Sequence, residues 1–213
     1  MKKDEIRQDP IKDKIIEGLN YLGQNKSIVT NIFIVLLVII GGFSYYNTVK
    51  FKSVGQAASL GGVAQNSYNV APTVNVLNDF QTIIDSYPNT PSASHAYIYL
   101  LSDAYNNNDT LKLKHLLENY NIKISDQILA SRVYELKANF TDIADDKVNN
   151  YLKAASLSTK SSQGKIDLAL ANLYIEMNEI TKAKEILQQY LDDDSDLIMK
   201  NSAKELMKYM ANK

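Results

Sequence analysis

The chain has 213 residues, 45% hydrophobic and 22% charged, a composition of one or two globular domains and not of a disordered chain. With 23 Lys and Arg against 24 Asp and Glu, the formal charge of -1 leaves no surplus to neutralise a run of phosphates, which argues against nucleic acid as a partner. The absence of Cys excludes disulfides, thiolate metal sites, a Cys nucleophile and a lipidated N-terminal Cys, without fixing the redox compartment. Only 8 Gly and 4 Pro disfavour turn-rich β folds and predict an all-α chain.

In chain order, Asp9-Pro10 reads as the N-cap and first position of a short helix. Ile11, Ile15, Ile16, Leu19 and Leu22 form one apolar stripe on it and Gly23 is its stop, so the segment suits a membrane surface or a partner helix. From Ser27 to Val49 no residue carries a formal charge, and Lys26 and Lys50 bracket the run. A helix of that length reaches about 34 Å, enough for a hydrocarbon core of about 30 Å. Tyr45 and Tyr46 fall where aromatic belts sit at the interface. A buried core helix would need protein on every side, more than the remaining chain supplies. A cleaved signal peptide is disfavoured by the long preceding segment with its five acids, Asp4, Glu5, Asp9, Asp13 and Glu17. Lys2, Lys3, Arg7, Lys12, Lys14 and Lys26 lie on the N-terminal side, against Lys50 and Lys52 on the other, so the N-terminus is expected inside and the C-terminal domain outside. The expected division is 1–26 inner segment, 27–49 span and 50–213 outer domain.

Beyond the span the sequence repeats. Leu101, Leu136 and Leu170 align, as do Tyr105, Phe140 and Tyr174. In the second halves Leu113, Val148 and Ala183 align, then Leu117, Leu152 and Leu187, then Tyr120, Ala155 and Tyr190. These spacings predict a period of about 34 or 35 residues with one residue of slack in the turn, and core positions at Leu117 and Leu152. Val76, Phe80, Ile83, Ile84 and Pro88 read as a further second helix upstream, whereas Ser53 to Ala71 matches no part of the pattern. Leu197, Met199, Ala203, Leu206, Met207 and Met210 have the spacing of a capping helix. A period near 34 with two amphipathic halves, and Leu170, Ala171, Tyr174, Asn178, Ala183 and Leu187 above all, resembles the tetratricopeptide repeat. That resemblance implies a helical solenoid with a concave groove.

No phosphate-binding glycine loop, metal-spaced His pair or nucleophile elbow is present, so an enzyme is not expected and no cofactor or metal is implied. His95 and His115 come without a partner at recognisable spacing and read as structural or surface residues. Asp192-Asp193-Asp194 lacks the alternating ligands of a calcium loop and reads as a solvated turn. Asn108-Asp109-Thr110 and Asn139-Phe140-Thr141 fit the glycosylation sequon, relevant only to a eukaryotic secretory route.

Tyrosine stands out, with 14 copies, because it supplies rigid amphipathic contact area. Tyr105, Tyr120, Tyr174 and Tyr190 are expected in the core. Counting six residues back from the packing aromatic places Tyr99, Tyr134 and Leu168 on the groove face. Asp103, Asn106, Asn107, Thr141, Lys165, Asn172 and Glu176 are expected with them, a surface for an extended or partly unfolded polypeptide unless the protein's own N-terminal helix covers it. Tetratricopeptide proteins that hold acidic chaperone C-termini use Lys and Asn at fixed groove positions. Here those read Tyr99 with Asp103, Tyr134 with Ala138 and Leu168 with Asn172, so only Asn172 fits.

The order of parts, with a short amphiphilic segment ending in YLGQNKSIV, one span, an outward helical domain and a Met-rich last helix, is similar to the single-pass ancillary subunits of the bacterial SecYEG translocon. The resemblance covers nearly the full length and implies an inner-membrane protein with a periplasmic domain. Its implied partners are translocon subunits, periplasmic chaperones and newly translocated clients. A scaffold for cell division or envelope assembly is the alternative within the same class, and tethering is the expected mechanism.

Overall fold

The computed structural model describes residues 10–192 and 196–212, the first four of these by their backbone. The Asp9 cap, Lys2, Lys3, Arg7, the side chain of Ile11 and the Asp193-Asp194 turn lie outside the described residues. Among the described residues there are ten helices and no strands. They are α1 (Pro10–Gln24), α2 (Lys26–Val70), α3 (Val74–Ser86), α4 (Pro91–Asn106), α5 (Thr110–Asn119), α6 (Gln127–Phe140), α7 (Ala144–Leu157), α8 (Lys160–Glu176), α9 (Ile180–Leu191) and α10 (Leu197–Ala211). Two compact units divide between Ser53 and Val54, inside α2.

Among the described residues, the first unit has no packed core. Asn25 interrupts the helical run, its side-chain amide donating to the Tyr21 carbonyl at 2.9 Å while its own carbonyl accepts from Ile28 and Val29. Ile15, Ile16, Leu19 and Leu22 are exposed on α1. On α2, Ile32 to Ile40 are all exposed, and one apolar window is long enough to cross a membrane without being covered by protein. Two hydroxyls of this stretch are satisfied within the helix, Thr30 by the Lys26 carbonyl and Thr48 by the Ser44 carbonyl, both at 2.9 Å. Internal pairing of this kind is what a bilayer demands of any polar group it surrounds.

In the second unit each helix from α3 to α10 packs on the next, and α10 also reaches α8. Val76, Phe80, Ile83 and Ile84 bury one face of α3, against Ala96, Tyr97 and Leu100 of α4. The segment without a sequence match is the C-terminal part of α2. Ala57 and Ala64 are buried on it, Tyr68 packs on Phe80, and a Cβ added at Gly61 would stand 3.2 Å from that of Ser92. Small residues let this helix approach α4 closely, so no stripe of large apolar side chains marks it.

The connections α4–α5 and α8–α9 are the same structure. Asn108 and Asn178 take positive φ of 54° and 62°, the amide of Asp109 donates to the Ala104 carbonyl (2.8 Å) and that of Glu179 to the Tyr174 carbonyl (2.7 Å). The amides of Asn108 and Asn178 also donate to the carbonyls of Tyr105 and Ile175, which completes a Schellman motif at each end. Asparagine is well suited to the left-handed position, because its short polar side chain tolerates it better than most. These turns place Ala104 opposite Tyr174, and hence Leu100 opposite Leu170, at the same offset that relates Leu113 to Ala183 and Leu117 to Leu187. The one-residue slack expected in the turn is absent.

That register corrects one expectation, and the packing of α6 on α7 corrects another. Tyr105 is not in the core; it is 58% exposed, and Leu100 with Ala104 fills the buried face of α4. Leu152 is 49% exposed, whereas Leu117 and Leu187 are buried. On α7 the buried residues are Tyr151 and Ala154, and the hydroxyl of Ser131 on α6 donates to the Ala154 carbonyl at 2.8 Å. The small pair Ser131 and Ala154 draws α6 and α7 together and turns Leu152 away from the contact. Tyr174 is buried and Tyr120 and Tyr190 are half-buried.

Candidate functional site

Three of the first helices, α4, α6 and α8, carry most of the residues expected on a binding face. The structure distributes them over several surroundings. Tyr99 stacks on Phe80 with centroids 4.9 Å apart and rings 6° from parallel, and meets the edge of Tyr68 at 5.0 Å. It is thus packed against α2 and α3, the self-covered arrangement. The residue that corresponds to Leu168 in the corrected register is Ile98.

Asp103 is buried, and its carboxylate accepts from Lys112 Nζ and from Asn107 Nδ2, each at 3.1 Å. The pair ties α4 to α5 and leaves little of Asp103 for a ligand. Asn106 lies on a cleft of about 410 Å³ between α4 and α6 whose floor is Ile98, Leu101, Leu129, Leu136 and Phe140, with Tyr105 at its edge. Arg132 and Glu135, paired within α6, supply its polar rim. Thr141 caps the end of α6, its amide donating to the Lys137 carbonyl at 3.0 Å. Asn172 donates to Glu176 at 3.0 Å on the exposed face of α8, Lys165 is exposed, and Leu168 packs toward α10. Of the expected residues, therefore, only Asn106 faces the apolar cleft. Tyr105, expected inside, is its exposed edge.

Tyr134 lies on a different cleft of about 400 Å³, walled by Tyr97, the α5–α6 connection, α6 and α7. Lys137 Nζ stands 5.9 Å from the Tyr134 ring centre, and burial holds its ammonium below the usual lysine range. Tyr97 is fully buried at the back, donating to the Leu116 carbonyl at 3.1 Å, and burial pushes its phenol up. His95 lines a small recess beside Gly61, and His115 lies with its ring centre 6.2 Å from that of Tyr120. No family model, curated protein or solved structure matches the chain.

A second buried carboxylate sits on α8. Asp167 accepts from the Tyr190 hydroxyl at 2.6 Å, and its burial raises its pKa above 3.8 although that hydrogen bond opposes the shift. Because the folded pKa is the higher one, the stabilisation from protonating Asp167 is present below pH 3.8 and is lost as pH rises through the folded value. Asp167→Asn keeps an acceptor for Tyr190 without the buried charge. The stability of D167N relative to the unaltered chain is therefore expected to increase from pH 3.5 to pH 7, measured as the difference in Tm. A difference that stays constant with pH would refute this account of Asp167.

Proposed function

We propose that this protein is a non-enzymatic, membrane-anchored protein-binding module, its second unit a tetratricopeptide-like solenoid closed by α10. The observation that carries the reading is one helix, α2, that contains a bare apolar stretch of membrane-spanning length and also supplies a packed helix of the repeat unit. The repeated Schellman turns at Asn108 and Asn178 support the solenoid, and the apolar cleft edged by Tyr105 offers a surface for an extended or partly unfolded polypeptide. The excess of Lys and Arg before the span supports a cytoplasmic N-terminus and a periplasmic domain. On the likeness of layout, the place of action is beside the SecYEG translocon, where translocon subunits, periplasmic chaperones and emerging clients are the partners. Anchoring keeps the cleft near the exit site and raises the effective concentration for weak contacts.

Site-specific photo-crosslinking in cells tests the reading, with the crosslinker at Gly41, where an added side chain meets nothing within 4 Å, and at the exposed Tyr105. Translocon subunits captured at Gly41 and chaperones or nascent chains captured at Tyr105 are the expected result. Capture of division or envelope-assembly proteins at both positions would move the protein to that machinery.

A further inference from the structure

The cleft around Tyr134 has a charge pattern unlike the rest of the domain. Lys123, Lys137 and Lys153 all line it, and no Asp or Glu does. The chain as a whole is balanced, and three other lysines of the domain are paired, Lys112 with Asp103, Lys114 with Asp142 and Lys182 with Glu179. Among the described residues, none of the three cleft lysines makes an ion pair. Lys137 is half-buried, so its ammonium has given up part of its hydration without receiving a counter-ion, a cost that an entering anion would relieve.

The walls say more about the anion. Ile122 and Ile124 alternate with the exposed Lys123 along the extended α5–α6 connection and turn into the fold, and Val133, Leu157 and Tyr134 add apolar surface. A compact inorganic ion would use the charges and leave the apolar walls bare. A polypeptide with carboxylates beside apolar side chains uses both.

We propose that this cleft binds an acidic segment of a partner protein, with Lys123, Lys137 and Lys153 receiving its carboxylates and the walls receiving its apolar side chains. The assignment rests on the protein-binding reading and gives that reading a class of partner. The site is distinct from the buried Asp103 and adjoins the apolar cleft edged by Tyr105 at Val133, which lines both.

The test uses the full chain in detergent micelles and a fluorescein-labelled ten-residue peptide alternating Glu and Leu, read by anisotropy. The Glu–Leu peptide is expected to bind, the corresponding Lys–Leu peptide is not, and binding should weaken from 50 to 500 mM NaCl. Lys137→Gln should lower affinity about tenfold or more, and K123Q/K137Q/K153Q together should abolish it, with helicity by circular dichroism unchanged. Absence of peptide binding, equal binding by the triple variant, or displacement of the peptide by a single-stranded oligonucleotide would each overturn the assignment. Crosslinking from Tyr105 separates this from the broader reading: if proteins are still captured there when the peptide fails, only the cleft assignment falls.

Discussion

Leu187→Ala is expected to lower the stability of the second unit by about 2–5 kcal/mol, while Leu152→Ala costs no more than about 1 kcal/mol. The two residues are equivalent by spacing and of one type, so the contrast comes from packing alone. Leu187 is fully buried between α8 and α10, against Ala171 and Ala203, and its loss leaves a cavity that close-packed neighbours fill only in part. Leu152 is 49% exposed on α7 and already meets solvent. For a domain of this size each kcal/mol moves Tm by about 2–4 °C, so L187A should melt about 4–20 °C lower. Thermal circular dichroism of both variants decides it, and equal losses would restore Leu152 as a core position equivalent to Leu187.

A paired change in the apolar stretch of α2 has the other large effect if the proposed anchor holds. Ten large apolar residues between Ile32 and Phe43 contribute roughly 0.3–0.6 kcal/mol each to insertion, about 3–6 kcal/mol together. Each Asp near the centre costs roughly 2.5–3.5 kcal/mol on the same scale, besides the apolar contribution it removes. Val35→Asp with Ile39→Asp therefore offsets the whole insertion energy. Both side chains are exposed and touch no core, so the helicity of residues 54–213 should be unchanged. The unaltered chain should resist alkaline carbonate extraction from membranes at its full mass, and V35D/I39D should not. Release of the unaltered chain, or a mass showing loss of the N-terminal segment, would remove the anchor.

Several features were legible in the sequence because they are local or one-dimensional. The apolar stretch of spanning length needs only length and the absence of charge between Lys26 and Lys50, and both are counted along the chain. The α3 face of Val76, Phe80, Ile83 and Ile84 follows from helical spacing, and all four are buried. The turn role of Asn178 follows from the short polar side chain at a position where the repeat pattern has glycine, and its φ is positive.

The C-terminal part of α2 was missed for a physical reason. Its contact is made by Ala57, Gly61 and Ala64, and close approach of backbones gives no large-residue periodicity to find. The binding face shifted for a related one. In α4, Leu100 and Leu101 are adjacent and both buried, so apolar pattern alone fits two registers; the wrong one moves Tyr105 inside and Tyr99 outside. The lysine cleft left no motif, because its residues come from the α5–α6 connection, α6 and α7 and meet only when those elements pack.

By itself, then, the sequence determined the helical class, the apolar stretch of spanning length, the charge asymmetry around it and the approximate period of the helices that follow. Each depends on composition or on spacing along the chain, and such patterns survive without knowledge of any neighbour. Tertiary structure alone decided which of two adjacent leucines occupies a repeat position, that Leu152 faces outward, that Tyr99 stacks on Phe80, and that three distant lysines share one cleft. Those outcomes depend on how closely two helices approach and at what rotation. Small side chains such as Ser131, Ala154 and Gly61 set that approach, and neighbouring helices then select the face that is buried.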